Sequence, residues 1–293
     1  MIKLIQRNVI LYFRDKVSVF FSLLGVLVVV LVYVLFLAQL QLDEVIQRLD
    51  YSMNRDKLSF LINSWTLGGM LTITTLTSTL GALGFVVADR ENRIIKDFKS
   101  SPLSIMSYPI ASVISSIIVG VIISLLGFVV YGLYIFFNTG YYFNLVTIIK
   151  SIGLMIISSM MNASLMGLLV SFFSTNRAFS SASVIAGTSI GFLIGLYIPL
   201  GQLAEKLQTV LKLLPFSHIA ALFRKTLMKE PLNLVFKNAP QSVINEYTET
   251  FGIILKWNSG RISFNTSIIF ILTVFIFSLV LFFINFRRKE QSI

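Results

Sequence analysis

The sequence predicts an all-α integral membrane protein. It has six transmembrane helices, an N-terminal amphipathic interfacial helix and a helical outer loop before the last span. Three observations carry this. Hydrophobic residues make up 56% of the 293-residue chain and charged residues 13%, about half the roughly 25% of an ordinary soluble domain. The apolar residues gather into six runs of the length a bilayer core requires, about 20 residues of helix. The charges collect at the ends of those runs, and Lys150, near the start of the fourth, comes closest to lying inside one.

Residues 1–16 come first. Ile2, Ile5, Val9 and Phe13 recur at spacings of three and four, with Lys3, Gln6, Arg7 and Arg14 on other faces. That is the pattern of a helix lying in the inner membrane interface; the alternative is a plain positive flank that sets orientation. The spans follow at about 17–38, 61–88, 108–137, 145–173, 181–200 and 263–286. The first is too long for a cleaved signal peptide and lacks a small-x-small site before Gln39. Ser101 and Pro102 read as cap and first residue of the third helix. Tyr131, Tyr134, Phe136, Phe137, Tyr141, Tyr142 and Phe143 crowd its outer end as an interfacial belt, or as a ring at a substrate exit. In the 201–262 loop, Ser217 caps a short helix with His218 in the polar interface. Ile219, Leu222, Phe223 and Leu227 lay that helix on the outer leaflet. Pro231 and Pro240 break the chain, and helix resumes over about 241–256. Residues 1–293 form a single transmembrane domain.

Orientation follows from Lys and Arg in the short connections. Lys3, Arg7, Arg14 and Lys16 precede the first span, and Arg90, Arg93, Lys96 and Lys99 follow the second. Arg177 lies between the fourth and fifth, and Arg287, Arg288 and Lys289 end the chain. These segments and both termini are expected in the cytoplasm, with 39–60 and 201–262 outside.

The composition excludes several function classes. A net charge of +11 would suggest nucleic acid in a soluble protein; here topology and anionic headgroups explain it. With no cysteine there is no disulfide framework, thiolate metal site or thiol nucleophile. His218 is the one histidine, and Asp43, Glu44, Asp50, Asp56, Glu246 and Glu249 lack metal-like spacing, so no catalytic or metal residue is assigned. No G-x-x-x-x-G-K-[ST] loop occurs, so ATP chemistry requires another chain. An ion-coupled carrier would hold ionisable groups at mid-membrane or repeat its broken helices. The spans show neither, although sites built from backbone carbonyls stay open. That carrier is the runner-up, and a membrane enzyme stands behind it. Enrichment in Ile, Phe, Lys and Asn is compatible with an AT-rich bacterial genome.

Inside the spans, Thr72, Thr75 and Thr79 share a helical face beside Ser78, and Asn162 is the most polar deep residue. Such groups turn inward in lipid, either lining a wetted path or gluing helices. Gly187, Gly191 and Gly195 form a ladder for close backbone approach, in the bundle or at a dimer seam.

The densest charge is DRENRIIKDFK, residues 89–99. Asp89, Arg93 and Asp97 stand four apart, so one short helix would carry its own ion pairs. Ile94, Ile95 and Phe98 make an apolar patch among charges of both signs. That suits a docking surface, or a solvated loop resting on headgroups.

The run ENRIIKDFKSSPLSIMSYPIASVI resembles the first cytoplasmic loop of type-2 ABC exporter permeases. Glu91, Lys96, Ser101, Pro102, Leu103 and Ser104 stand at the matching positions. LLPFSHIAALFRK, residues 213–225, is similar to the family's segment after the fifth helix through Pro215, Phe216, His218 and Arg224. The order of amphipathic start, six spans, long last outer loop and basic tail extends the resemblance over nearly the whole chain. It implies a permease with no cofactor of its own, working with an ABC ATPase subunit that binds ATP and Mg. Coupling to that ATPase would fall to Arg90, Glu91, Arg93, Ile94, Ile95, Lys96, Asp97, Phe98, Lys99 and Pro102. It also implies a second permease copy or homologue, with the first and fifth helices near the seam. Together with the uncharged spans, it implies export of an amphipathic or lipid-like cargo such as a drug, toxin, hydrophobic peptide or lipid; polysaccharide is less favoured.

Overall fold

The computed structural model describes residues 1–16, 19–20, 54–99, 104, 106–257 and 260–291. The first predicted span apart from residues 19–20, most of the 39–60 loop and the Ser101–Pro102 cap lie outside the described residues, as does the Lys99 side chain. Helix dominates the rest. Among the described residues, four helices are long and apolar enough to cross a membrane.

Helix α1 (Ile2–Arg14) turns Leu4, Asn8 and Tyr12 inward. Tyr12 packs with Ala82, Val119 and Ile123. The inward stripe is thus 4, 8, 12, whereas the apolar stripe foreseen at 2, 5, 9, 13 leaves Ile2 and Phe13 exposed. Helix α2 (Arg55–Ala82) starts at Asn54, whose side chain accepts from the Asp56 amide at 2.8 Å. It is the centre of the molecule, buried along most of its length. Its hydroxyls tolerate this because they donate to their own helix one turn back: Ser64 to Phe60, Thr66 to Ile62, Thr74 to Met70. A hydroxyl bonded in this way carries no unmet donor into an apolar interior.

After Leu83 the rod continues as α3 (Gly84–Glu91). Arg93 then adopts φ 62°, and the chain turns into α4 (Ile94–Lys99). The single charged helix expected over 89–99 is therefore two. Left-handed backbone at a bulky residue cannot propagate a right-handed helix, so the i,i+4 ladder through Arg93 does not form.

Helix α5 (Ser107–Thr139) ends at Gly140, φ 74°, the left-handed stop that glycine supplies most cheaply. Helix α6 (Leu145–Ser171) is capped by the Asn144 side chain, which accepts from the Thr147 amide at 2.8 Å. Helix α7 (Asn176–Leu193) is shorter than, and offset from, the fifth run foreseen at 181–200. It is also not one of the four spanning candidates. It stops before Gly195, φ 64°, and the chain folds back through a 3-10 turn, Leu200–Gln202.

The segment before the last long helix holds α8 (Glu205–Lys212), α9 (Pro215–Leu227), α10 (Lys229–Val235) and α11 (Gln241–Thr250). A two-stranded hairpin follows, β1 (Lys256–Trp257) with β2 (Gly260–Arg261), and then the last span, α12 (Phe264–Gln291). Three expectations are corrected here. Helix α9 does not rest on the surface: nearly all of it is buried, against α2, α6 and α12. Its first residue is Pro215, which needs no amide partner at that position; Ser217 is not its cap and donates instead to the Leu193 carbonyl. Pro231 sits within the first turn of α10, where proline is tolerated.

The aromatic group divides. Phe136, Phe137 and Tyr142 face outward. Tyr141 and Phe143 close on Phe60, with ring centroids 5.1 and 5.6 Å away, and Tyr131 is buried.

Candidate functional site

Residues 89–98 sit where the ends of several helices meet. Asp89, at the end of the α2–α3 rod, accepts two bonds from Arg7 of α1, both at 2.8 Å, and one from the Tyr108 hydroxyl of α5 at 2.7 Å. The Asp89 side chain is 5% exposed and that of Arg7 29%. A bidentate guanidinium is the geometry that best repays burying a carboxylate. The hydrogen bond to Asp89 raises the Arg7 pKa above its ordinary value, so the guanidinium keeps its charge. Arg7 also lies over the Phe98 ring, 5.5 Å from its centroid, and Phe98 meets Tyr108 at 5.3 Å.

The next two residues grip the turn between α6 and α7. The Arg90 guanidinium donates to the Phe173 carbonyl and covers Phe286 of α12 at 6.0 Å. The Glu91 carboxylate accepts from the Asn176 amide at 3.0 Å, in the first turn of α7. That is where a helix presents unpaired N–H groups and favours an anion. At the other end of α3, Gly84 meets Phe179, close enough that an added Cβ would stand 3.0 Å from the ring. So α3 is fixed to α7 at both ends.

This geometry redistributes the residues assigned to coupling. Ile95 is buried in the core, and Ile94 and Phe98 are half-buried. The apolar patch attaches the element to its own protein. The exposed side chains are Glu91, Arg93, Lys96 and Asp97. Pro102 lies outside the described residues. Arg7, Tyr108, Phe173, Asn176 and Phe286 join the site without having been singled out for it. Their only sequence signal is Asp89, an acid closing a long apolar run and so in need of a partner.

The polar residues of the spans form a seam. Thr75 meets the Ser158 hydroxyl at 2.7 Å, and the Asn162 amide donates to Thr75 at 3.2 Å. Thr72 and Thr79 bond back to Gly68 and Thr75 of their own helix. All four foreseen residues are buried among helices. Gly120 of α5 lies so close that a Cβ there would stand 2.6 Å from Thr79 and 2.8 Å from Ser159. Of the glycine ladder, Gly187 faces Thr77, Gly191 lies under the Tyr197 ring, and Gly195 makes the turn that ends α7.

Arg224 of α9 is a second buried cation. It is 1% exposed. Its guanidinium donates to the carbonyls of Ile194 and Gly195, both at 3.1 Å, and lies 4.4 Å from the Trp65 ring centroid. Burial pushes its pKa down to about 9, which still leaves a cation at neutral pH. Gly68 makes room, since a Cβ there would stand 3.0 Å from Arg224 atoms. His218 bonds the Ser267 hydroxyl at 3.2 Å and the Lys212 carbonyl at 2.9 Å, and it packs on Phe270. It is buried, not interfacial, and burial lowers its pKa. It ties α9 to α8 and α12.

A search of curated proteins finds none that matches the chain. The family model for the ABC-2 type transporter matches residues 1–228, well over half of the chain, and takes in α1, residues 89–98 and helices α2 to α9. The chain belongs to the ABC-2 type transporter family, the membrane permeases of ABC exporters.

Proposed function

We propose that this permease is the membrane-spanning half of an ATP-driven exporter whose power stroke enters through residues 89–99. A separate ABC ATPase subunit would bind ATP and Mg and seat against Glu91, Arg93, Lys96 and Asp97, with Lys99 and Pro102 beside them. One observation supports this above the others. The α3–α4 element buries its apolar side and clamps it through Arg7–Asp89, while both charge signs point outward. A push on that outward face reaches α1, α5, α7 and α12 together, because each is bonded to or packed on the element.

Two copies, or one copy and a homologue, would complete the pathway, with α7 near the seam. Thr72, Thr75, Thr79 and Asn162 would line the path once α2 and α6 part. The cargo would be amphipathic or lipid-like, a drug, toxin, hydrophobic peptide or lipid, since the spans are apolar and carry almost no charge. The setting would be a bacterial cytoplasmic membrane with both termini and residues 89–107 inside.

The test is affinity purification from the native membrane in mild detergent. The wild type is compared with a variant carrying Arg93→Glu, Lys96→Glu and Asp97→Lys, which alters exposed side chains only. A P-loop ATPase that accompanies the wild type and is lost from a folded variant supports the reading. No ATPase with the wild type, or equal recovery with both, overturns it.

A further inference from the structure

Helix α7 is held differently from α2, α5 and α6, which are buried at intervals all along their length. Of its 18 residues only Phe179, Ile190 and Gly191 are buried. These lie near its two ends, and each end is gripped by a charge from another element. At the amino end the Glu91 carboxylate of α3 accepts from the Asn176 amide at 3.0 Å, and Phe179 closes on Gly84. At the carboxyl end the Arg224 guanidinium of α9 forks across two successive carbonyls, those of Ile194 and Gly195, both at 3.1 Å. Ser217, also of α9, donates to the Leu193 carbonyl at 3.2 Å. An anion at the amino end and a cation at the carboxyl end both suit the dipole of the helix. Between the grips, residues 180–189 are half-buried or exposed.

An α-helix of this length is about 27 Å long, and its hydrogen bonds run along its axis. A displacement at Asn176 therefore arrives at Ile194 instead of being absorbed on the way. Helix α3 is able to supply that displacement, because it is a separate helix that meets α2 at Leu83. Arg224 is placed to receive it. Its guanidinium lies 4.4 Å from the Trp65 ring centroid, and the Trp65 indole donates to the Phe251 carbonyl at 2.7 Å. A Cβ on Gly68 would stand 3.0 Å from Arg224 atoms and one on Gly252 3.2 Å, so the side chain has no slack. Its planar fork fixes a direction as well as a distance, which the point charge of a lysine does not.

We infer that α7 is a connecting rod and that Arg224 is the positioning residue at its far joint, delivering movement of the α3–α4 element to α9. The inference rests on the reading that force enters through residues 89–99.

The test uses the purified full chain and needs no ATPase, so its result and that of the ATPase purification are read separately. The near joint is released by Glu91→Lys, which reverses the charge facing the Asn176 amide at an exposed side chain. Amide exchange is then followed over residues 176–183 at the near end and over 190–196 and 215–227 at the far end. Exchange should quicken at both ends, by about two- to fivefold, the effect of one charge at a helix end. With Arg224→Lys already in place, Glu91→Lys should still quicken 176–183 but no longer reach 215–227. A second pair keeps both joints and interrupts the rod at Gly187, a half-buried residue in its middle. Gly187→Pro, which breaks the helix, should confine the response to the near end, and Gly187→Ala should not. A response to Glu91→Lys that stays within 176–183 in the otherwise wild-type chain overturns the inference. So does a response in α9 that survives Arg224→Lys or Gly187→Pro undiminished, since Arg224 would then only hold the fold together.

Discussion

Replacing Arg7 by Gln should cost more than replacing Asp89 by Asn, and the double replacement less than their sum. Arg7→Gln leaves a carboxylate 5% exposed with the Tyr108 hydroxyl as its remaining described partner. Removing one member of a fully buried pair costs about 3–5 kcal/mol. Arg7 is 29% open, so water enters the gap, and about 2–3 kcal/mol is expected here. Asp89→Asn frees a guanidinium that can turn toward water, at about 1–2 kcal/mol. With both replaced, no charge is stranded, and a coupling energy of about 2 kcal/mol should appear in the double-mutant cycle. Unfolding in mixed micelles on addition of sodium dodecyl sulfate, followed by circular dichroism, measures all four states. Amide exchange over residues 89–98 should quicken in Arg7→Gln before the rest of the chain responds. Additive losses, with coupling below about 0.5 kcal/mol, would refute the clamp.

Two further outcomes follow from packing and protonation. An added Cβ at Gly120 meets Thr79 and Ser159 closer than atoms ordinarily approach, whereas one at Gly153 meets nothing within 4 Å. Gly120→Ala should therefore destabilise by about 1–3 kcal/mol and Gly153→Ala should not, in the same micelle titration. His218 has its folded pKa below the unfolded value of about 6.5. The unfolded chain then binds the proton first, and stability falls as pH drops through about 6.5 until the folded value is passed. Unfolding measured from pH 7.5 to 5 should show that loss in the wild type and a flatter profile in His218→Gln.

The long apolar runs were legible because hydrocarbon imposes one rule on every residue of a span, and α5 and α12 follow it closely. Helix α7 obeys it less well: Ser, Thr and Gly dilute its apolar residues, and the stop at Gly195 depends on a backbone angle that composition does not encode. The charged element was visible, but its break was not, since nothing about Arg93 announces positive φ. Its grip was hidden for another reason. Asp89 finds Arg7 at a separation of 82 residues, while an i,i+4 partner at Arg93 looked sufficient. Helix α9 is placed on the leaflet by its apolar stripe of Ile219, Leu222, Phe223 and Leu227, and that stripe does not reveal that His218 and Arg224 are buried with it. The Ile194, Gly195 and Lys212 carbonyls that receive them become available only once the chain has folded.

The hydroxyls of α2 bear on how such a machine moves. Most of them spend their hydrogen on their own helix, so α2 is polar in composition yet nearly neutral toward its neighbours. Cross-helix ties described here are few: Asn63 to Tyr131, Trp65 to the Phe251 carbonyl, and Thr75 to Ser158 and Asn162. A shaft fastened at so few points and otherwise held by shape can rotate or slide by a fraction of a turn with most of its hydrogen bonds travelling along with it. The barrier to that displacement would be concentrated at three or four named residues, and those are where a change in side chain should alter the speed of the stroke without altering its endpoints.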